Sequence, residues 1–189
     1  MECLATRLHD VKLIKPKIFA DTRGFFFESW RQQIYDDLLN KGKPLVFTQD
    51  NHSKSSLHVL RGLHYQFEKP QGKLVRVISG KVYDVAVDLR TYSPTYGRWQ
   101  GFYLSAENKN MLWVPPGFAH GFYALCDNCE VTYKCTGEYL PGDEHTIIWN
   151  DIDLAIGWPL LESSVPLLSE KDSQGVAYKD ALKFEKIYA

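Results

Sequence analysis

The stretch KLVRVISGKVYDVAVDLR, residues 73–90, decides the fold because its side chains alternate as β-strands require. We predict two strands joined as a hairpin that turns at Ser79-Gly80. The second strand divides into two alternating sets: Tyr83, Val85, Val87 and Leu89, and Val82, Asp84, Ala86 and Asp88. Small barrels point one such set into the lumen, so the set with two aspartates predicts a wet, functional interior. An ordinary solvated face of a sandwich is the alternative.

Short runs rich in Val, Tyr, Phe and Trp recur along the rest of the chain, separated by turn signals. This spacing predicts an all-β sandwich or barrel. One amphipathic helix is predicted over SWRQQIYDDLLNK, residues 29–41, with Gly42 at its end. Ser169 is a candidate N-cap for short helical turns near the C-terminus. The prediction is therefore an all-β fold with short peripheral helices.

Composition limits both the domain count and the class of partner. The chain has 189 residues, of which 44% are hydrophobic, enough to bury one core. Because the sequence shows no repeats or flexible linkers, we predict a single domain over residues 1–189. It would have a barrel core over about 18–160 and a helical tail over about 168–189. The net charge of −1 argues against nucleic acid or a membrane surface as partner. Because no signal peptide or membrane span is recognisable, we expect a cytoplasmic protein.

Four cysteines raise the question of metal binding or redox chemistry: Cys3, Cys126, Cys129 and Cys135. The motif CDNC, residues 126–129, could be half a zinc site or a redox pair, but no second CxxC or HxxxH completes it. We predict a hairpin turn centred on Asp127-Asn128 with reduced thiols beside it.

The stretch VLRGLHYQFEKPQGKLVRV, residues 59–77, carries unusually many charges for a strand. In a regular strand Arg61 and His64 would point to opposite faces. A bulge at Gly62 would bring both to the same side, and we predict this irregularity. The alternative leaves Arg61 solvated outside and His64 as a hydrogen-bonded interior histidine.

The segment WVPPGFAHGF, residues 113–122, contains Pro115, Gly117 and His120 in the pattern PxGxxH. This pattern resembles the second motif of the cupin superfamily, whose jelly-roll barrels commonly hold a metal on histidines and a glutamate. Where a metal-binding cupin has HxH and a glutamate, this chain has His64, Tyr65 and Gln66. We therefore predict a metal-free barrel, with histidines free for proton transfer.

Five longer motifs, in this order along residues 19–172, resemble the dTDP-4-dehydrorhamnose 3,5-epimerase family: FADTRGFFFESW, FTQDNHSKSSLHVLRGLHYQ, QGKLVRVISGKVYDVAVDLRTYSPTYGRWQGFYLSAENKNMLWVPPGFAHGF, YKCTGEYLPGDEHTIIWND and LSEKD. The resemblance implies a cupin-type jelly-roll barrel, usually homodimeric, that acts without a cofactor. It also implies inversion of dTDP-4-keto-6-deoxyglucose on the route to dTDP-L-rhamnose.

The resemblance also assigns catalytic roles. His64 matches the base that removes a proton next to the ketone, and Asp172 the carboxylate that orients its ring. Lys73 matches the cation near the C4 oxygen, Tyr133 the acid on the opposite face, and His120 a substrate-binding histidine. Outside the family, Asp172 would be interpreted as a surface helix cap, Lys73 as a solvated strand-edge lysine and Tyr133 as core.

The remaining matched residues are assigned to substrate binding: Arg23, Glu28, Gln49, Asn51, Arg61, Tyr139, Glu144 and Lys171. The cationic groups suit a diphosphate, and Tyr139 matches a ring that stacks on thymine. Without the resemblance, Tyr139 would be an ordinary turn aromatic.

Two alternative functions remain at this point. A single-centre epimerase, acting at C3 or C5 of a related sugar, would keep nearly every motif. A non-catalytic sugar-nucleotide-binding cupin would lack the base and the acid, yet His64 and Tyr133 are both present. A metal-dependent cupin oxygenase or isomerase is disfavoured by Gln66.

Overall fold

The computed structural model describes residues 1–161 and 164–186. Within them the strands are β1 (Glu2–Ala5), β2 (Lys12–Lys15), β3 (Phe19–Asp21), β4 (Gly24–Phe26), β5 (Gln49–Ser55), β6 (Leu60–Gln66), β7 (Lys73–Ser79), β8 (Lys81–Asp88), β9 (Trp99–Ser105), β10 (Met111–Val114), β11 (Phe118–Ala124), β12 (Cys129–Cys135) and β13 (Glu144–Thr146). The helices are α1 (Gln32–Asn40) and α2 (Glu170–Ser173), with 3-10 turns at Pro141–Asp143 and Tyr178–Asp180.

Two antiparallel sheets face each other and form the barrel. One has the order β1-β2-β10-β7-β12-β5 and the other β13-β6-β11-β8-β9, while β3 and β4 make a separate two-stranded arm. Side chains from both sheets fill the space between them, including Val75 and Val131 from one and Ala86 and Phe122 from the other. The all-β jelly-roll prediction is confirmed.

The predicted hairpin over residues 73–90 is wrong in its pairing, although its turn is at the predicted place. Strand β7 ends at Ser79, β8 begins at Lys81, and Gly80 between them has a φ of 77°. The two strands then enter different sheets: β7 pairs with β10 and β12, and β8 with β9 and β11. Alternation specifies that each segment is a strand, but it does not specify the partner.

The predicted hairpin around Asp127-Asn128 has the same error. Strand β11 before this turn lies in the five-stranded sheet, and β12 after it lies in the six-stranded sheet. The turn therefore connects the two sheets instead of joining neighbouring strands of one sheet. Its two cysteines are not joined by a disulfide, as predicted. Cys126 is partly exposed and Cys129 is buried.

Strand β8 is largely buried on both faces, because each of its two alternating sets of side chains packs in a different hydrophobic cluster. Val82 and Ala86 point into the barrel core. Val85 and Val87 point outward and are covered by residues that follow the barrel strands, among them Phe184. The solvated-face alternative for this strand is therefore excluded.

The N-terminal helix is shorter than predicted. Helix α1 begins at Gln32 rather than near residue 29, and Lys41 and Gly42 end it with φ angles of 54° and 79°. Tyr35 on its inner face is fully buried and stacks on Trp30. These aromatic rings anchor the helix to the outside of the six-stranded sheet.

The C-terminal segment is less helical than predicted. It contains α2 and one 3-10 turn, and elsewhere it makes single bridges to the barrel, at Val59–Leu167, Ile147–Val176 and Arg90–Phe184. The last part of the predicted tail, residues 187–189, lies outside the described residues. The single domain over residues 1–189 stays a prediction. No helix in the described part of the chain has the length and apolar character needed to cross a bilayer.

Candidate active site

A cavity of about 280 Å³ opens between the two sheets. Most of the side chains that the sequence assigned to the site line it: Gln49, Asn51, Arg61, His64, Lys73, His120, Tyr133, Tyr139, Glu144 and Lys171. They come from β5, β7 and β12 on one wall and from β6, β11 and β13 on the other, apart from Tyr139 and Lys171. Positions distant in sequence therefore converge on one polar chamber.

His64 on β6 is the candidate base, and Asp172 fixes its ring. Nε2 of His64 is hydrogen-bonded to Oδ1 of Asp172, and Nδ1 lies 3.9 Å from Oε1 of Glu144. Burial lowers the pKa of His64 below its usual value, and the hydrogen bond and charge of Asp172 oppose this shift only in part. The ring is therefore neutral near pH 7, with Nε2 donating to Asp172 and the lone pair of Nδ1 able to accept a proton.

Asp172 is positioned by the first turn of α2. Ser169 caps this helix: its Oγ accepts from the Asp172 backbone N–H at 3.1 Å and donates to Asp172 Oδ2 at 2.7 Å. Burial raises the pKa of Asp172, but the hydrogen bonds from His64 and Ser169 and the interaction with the His64 charge outweigh it, and the pKa is lowered. Only 3% of Asp172 is exposed, so it is a buried carboxylate rather than a surface cap.

Strand β6 is irregular at Gly62, as predicted. Its register against β11 shifts next to His120, and Gly62 has a φ of 118°. A Cβ at Gly62 would lie 2.5 Å from Cα of Gly121, so the two strands approach closely only because both positions are glycine. As a result, Arg61 and His64 both line the cavity.

Tyr133 projects into the cavity from β12, in the sheet opposite His64. Its ring is partly buried against the barrel core. Burial raises the pKa of Tyr133 above its usual value, and the neighbouring Cys135 adds to the shift. The phenol therefore keeps its proton near neutral pH and can act as a donor from the wall that His64 does not occupy.

Lys73 begins β7 and lines the same cavity. Burial lowers the pKa of its ammonium, while Cys135, Glu144 and Asp84 act in the opposite direction. Lys73 is thus a largely desolvated cation facing the chamber, not the solvated strand-edge lysine of the alternative interpretation. A charge in such surroundings interacts strongly with a developing anion.

Asp84 belongs to the site although the sequence did not assign it there. It accepts a hydrogen bond at 2.8 Å from Nε2 of His120, and it is fully buried. Its other oxygen, Oδ2, has no hydrogen-bond partner among the described residues. The sequence feature that could have identified Asp84 was its place in the alternating set of β8 that contains two aspartates. Asp84 orients the His120 ring as Asp172 orients His64.

The outer end of the cavity is a hydrogen-bonded cluster around Glu144. Glu144 Oε2 accepts from Nζ of Lys171 at 2.5 Å and from the Tyr139 hydroxyl at 2.9 Å. Burial raises the pKa of Glu144, but Lys171, the His64 charge and Tyr139 lower it overall. Gln49 Oε1 accepts from the Tyr139 backbone N–H at 2.7 Å, which holds the loop. The Tyr139 ring is 45% exposed and presents a face on which a planar base can stack.

Gln66 stands at the position where metal-binding cupins have a ligand, and its side chain hydrogen-bonds the backbone of neighbouring loops. Its Nε2 donates to the carbonyl oxygens of Lys69 and Glu138, and its Oε1 accepts from the backbone N–H of Leu140 at 2.9 Å. Residues 1–161 and 164–186 contain no group of three or more His, Cys, Asp or Glu side chains arranged to hold a metal ion.

Three residues assigned to the site do not line this cavity: Asp172, which is hydrogen-bonded to His64, Arg23 and Glu28. Arg23 extends from the β3–β4 arm, where its side chain is 88% exposed and pairs with Asp21 at 2.6 Å. Glu28 follows the arm and pairs with Arg31 at 2.6 Å. Within one chain, neither side chain lines the chamber that holds His64.

Comparison with known proteins agrees with this geometry. The family model described as dTDP-4-dehydrorhamnose 3,5-epimerase matches residues 5–180. The chain belongs to this family. The enzyme of that name from Pseudomonas aeruginosa is 55% identical, with 94% of this chain and 97% of the relative covered.

Solved structures extend the similarity to the whole fold. A 3,5-epimerase from Legionella pneumophila, crystallised with dTDP-4-keto-L-rhamnose, is 46% identical and superposes with a TM-score of 0.92 over 98% of this chain and 99% of its own. The ChmJ 3′-monoepimerase of Streptomyces bikiniensis, in complex with dTDP-quinovose, is 31% identical with a TM-score of 0.84, over 91% and 85% of the two chains. Double and single epimerases thus share this barrel.

Proposed function

We propose that this protein is a cofactor-independent 3,5-epimerase that converts dTDP-4-keto-6-deoxy-D-glucose into dTDP-4-keto-L-rhamnose, in dTDP-L-rhamnose biosynthesis. The observation that carries the proposal is the placement of proton-transfer groups on opposite walls. A neutral His64 backed by an ionised Asp172 lies on one sheet, and a protonated Tyr133 lies on the other.

The chemistry follows from these positions. C3 and C5 of the sugar both adjoin the C4 ketone, so removal of a proton from either carbon gives an enolate on the same oxygen. Nδ1 of His64 accepts the proton, and Asp172 stabilises the imidazolium. Lys73 stabilises the enolate oxygen. Tyr133 returns a proton to the opposite face, and the carbon is inverted.

Nucleotide binding is assigned to the outer end of the cavity. The exposed Tyr139 face offers a stacking surface for thymine, and Arg61 and Lys171 supply cations for the diphosphate. Arg61 is held at the rim because its Nε donates to Ser55 Oγ at 3.1 Å.

Incubation with dTDP-4-keto-6-deoxyglucose in deuterated water tests the double inversion. We expect deuterium at both C3 and C5 and an L-rhamno product by NMR. Exchange at one centre only, with a product inverted there, would contradict the 3,5 assignment and favour a monoepimerase, for which the fold similarity to ChmJ is the supporting observation. Absence of exchange at either carbon would remove the epimerase proposal.

We further propose a homodimer in which the arm of one chain completes the cavity of the other. The arm exposes three aromatic rings: Phe19 at 53%, Phe25 at 60% and Phe26 at 69%. Exposed rings in such a cluster are typical of an interface. Arg23 and Glu28 lie on or next to this arm and away from the cavity of their own chain.

Subunit mixing tests this arrangement. His64→Ala and Arg23→Ala chains, each weak alone, are unfolded together, refolded and assayed. If Arg23 acts on the partner's cavity, mixed dimers contain one site with both residues intact, and activity is recovered. No recovery, in a mixture whose dimers are verified by native mass spectrometry, would assign Arg23 to its own chain; a monomer in solution would contradict the dimer.

We also propose a cytoplasmic location, supported by the unbonded cysteines of the described chain. Cell fractionation with antibody detection tests it, and recovery of the protein with membranes or outside the cell would contradict it.

A further inference from the structure

The turn between β11 and β12 brings two thiols into contact, and neither of them lines the cavity. Sγ of Cys126 and Sγ of Cys129 are 2.9 Å apart. The sulfurs are not bonded to each other, yet they are already closer than two non-bonded sulfur atoms ordinarily approach. Oxidation to a disulfide would shorten the separation to about 2.05 Å.

The surroundings of the pair leave room for both sulfurs. A Cβ at Gly80 would lie 2.5 Å from Sγ of Cys126 and 2.9 Å from Sγ of Cys129, so a larger residue at position 80 would displace the thiols. The Lys81 backbone N–H donates to Cys126 Sγ at 3.3 Å, and Cys129 Sγ donates to the Lys81 carbonyl at 3.1 Å. The pair therefore has a donor for one sulfur and an acceptor for the other.

The two thiols differ in access. Cys126 is partly exposed, next to the exposed Asp127 and Asn128 at the tip of the turn, whereas Cys129 is fully buried. Burial, and after it the hydrogen bond to Cys126, raises the pKa of Cys129. Its thiol is therefore less readily ionised than an ordinary exposed thiol. This asymmetry matches an attacking cysteine at 126 and a resolving cysteine at 129.

We propose that Cys126 and Cys129 form a reversible redox site, closed to a disulfide by small-molecule disulfides of the glutathione class. The Cys126 thiolate attacks one sulfur of the oxidant, whose S–S bond breaks and releases one thiolate. Cys129, giving up its proton, then attacks Cys126 sulfur and releases the second thiolate. The two cysteine protons pass to the two leaving thiolates, so the dithiol loses two electrons and the oxidant gains them.

This site is independent of epimerisation, because neither cysteine lines the cavity. The other two cysteines provide internal comparisons. Cys3 is exposed on the edge strand β1, and Cys135 is buried beside Lys73. Neither has another thiol within contact distance among the described residues, so Cys3 can form only a mixed disulfide with the oxidant.

The first experiment treats reduced full-length protein with oxidised glutathione, quenches it with acid, denatures it, and alkylates the remaining thiols before peptide mass mapping. We expect the segment with Cys126 and Cys129 to lose two hydrogens and to escape alkylation, and Cys3→Ser to behave in the same way. Alkylation of both Cys126 and Cys129 in the treated protein, or a stable glutathione adduct on Cys126 of the wild type, would overturn the proposal.

The second experiment separates the two roles. In Cys129→Ser the first step proceeds but the second cannot, so glutathione should remain attached to Cys126. In Cys126→Ser the buried Cys129 should stay free. Unchanged circular dichroism and unchanged epimerase activity establish that each variant is folded. A folded Cys129→Ser protein without an adduct at Cys126 would overturn the assignment of the attacking thiol, and with it the proposal.

Discussion

At the scale of single residues, the His64–Asp172 pair is expected to set the pH range in which His64, the proposed base, is usable. His64 must be neutral to accept a proton, so the acid limb of kcat/KM follows its pKa. In Asp172→Asn the negative charge that raises this pKa is lost. We expect the acid limb to move to lower pH, while the maximal rate falls by up to the roughly 10²- to 10⁴-fold that a general base contributes.

Lys171 supplies a control of opposite sign for this prediction. Its positive charge lowers the pKa of His64, so Lys171→Met should move the acid limb slightly to higher pH. The shift is small because Lys171 is about half exposed and screened by solvent. If Asp172→Asn only lowers the rate and leaves the limb in place, Asp172 acts on folding or packing rather than on the base.

Tyr133 is the residue at which exchange and inversion can be separated. Tyr133→Phe keeps the ring but removes the proton donor on the wall opposite His64. His64 can still remove a proton and return it, or a solvent deuteron, to the same face. We expect the variant to incorporate deuterium while it accumulates little inverted product, as measured by NMR. Exchange and inversion that fall by the same factor would assign Tyr133 to deprotonation or to substrate placement.

At the scale of elements, the close pairing of β6 and β11 positions His64, the proposed base. A Cβ at Gly121 would lie 2.5 Å from the Arg61 carbonyl oxygen and 3.0 Å from Cα of Gly62. Gly121→Ala must therefore separate the strands. Overpacking of this kind costs about 1–3 kcal/mol of unfolding free energy, measured by urea denaturation. Because His64 lies two residues beyond Gly62, kcat should fall as well.

Gly142 gives a matched control for this substitution. A Cβ at that position meets no atom within 4 Å, so Gly142→Ala should leave stability and kcat nearly unchanged. Equal behaviour of the two alanine variants would show that the strands tolerate separation at Gly121.

The same elements show what a sequence can and cannot predict. The strands around residue 80 and the irregularity at Gly62 were predictable, because alternation and a glycine within a strand are local signals. The partners of β7 and β8 were not, because pairing depends on contacts between distant segments. Likewise, the family motifs identified most of the residues that line the cavity. From the sequence, Asp84 was recognisable only as a polar residue in one alternating set of β8, because its contact with His120 depends on the fold.

At the scale of the whole molecule, a buried ion pair ties the N-terminal segment and the C-terminal segment to the barrel. Arg90 Nε donates to Asp88 Oδ1 at 2.9 Å, and its Nη1 donates to Asp10 Oδ2 at 2.9 Å. The backbone of Arg90 bridges to Phe184. Asp88 is fully buried and Arg90 is 6% exposed. Breaking such a pair by removal of one partner leaves an uncompensated charge inside the protein.

Arg90→Leu should therefore destabilise the whole fold, and by an amount that depends on pH. Burial raises the pKa of Asp88, but the hydrogen bonds from Arg90, Ser93 and Thr95 outweigh it and lower the pKa in the wild type. A lowered pKa contributes stability that is present near pH 7 and is lost as the pH falls through the folded-state value. Without Arg90, burial dominates, the folded-state pKa of Asp88 rises, and protonation in acid relieves the penalty. We expect a loss of about 3–5 kcal/mol at pH 7 and a smaller loss at mildly acidic pH, measured by urea unfolding at each pH.

The exposed pair of Lys134 and Asp50, 2.7 Å apart, is the control, since Lys134→Met should cost less than about 1 kcal/mol. A pH-independent cost for Arg90→Leu would mean that the Arg90 side chain contributes packing rather than compensation for the Asp88 charge.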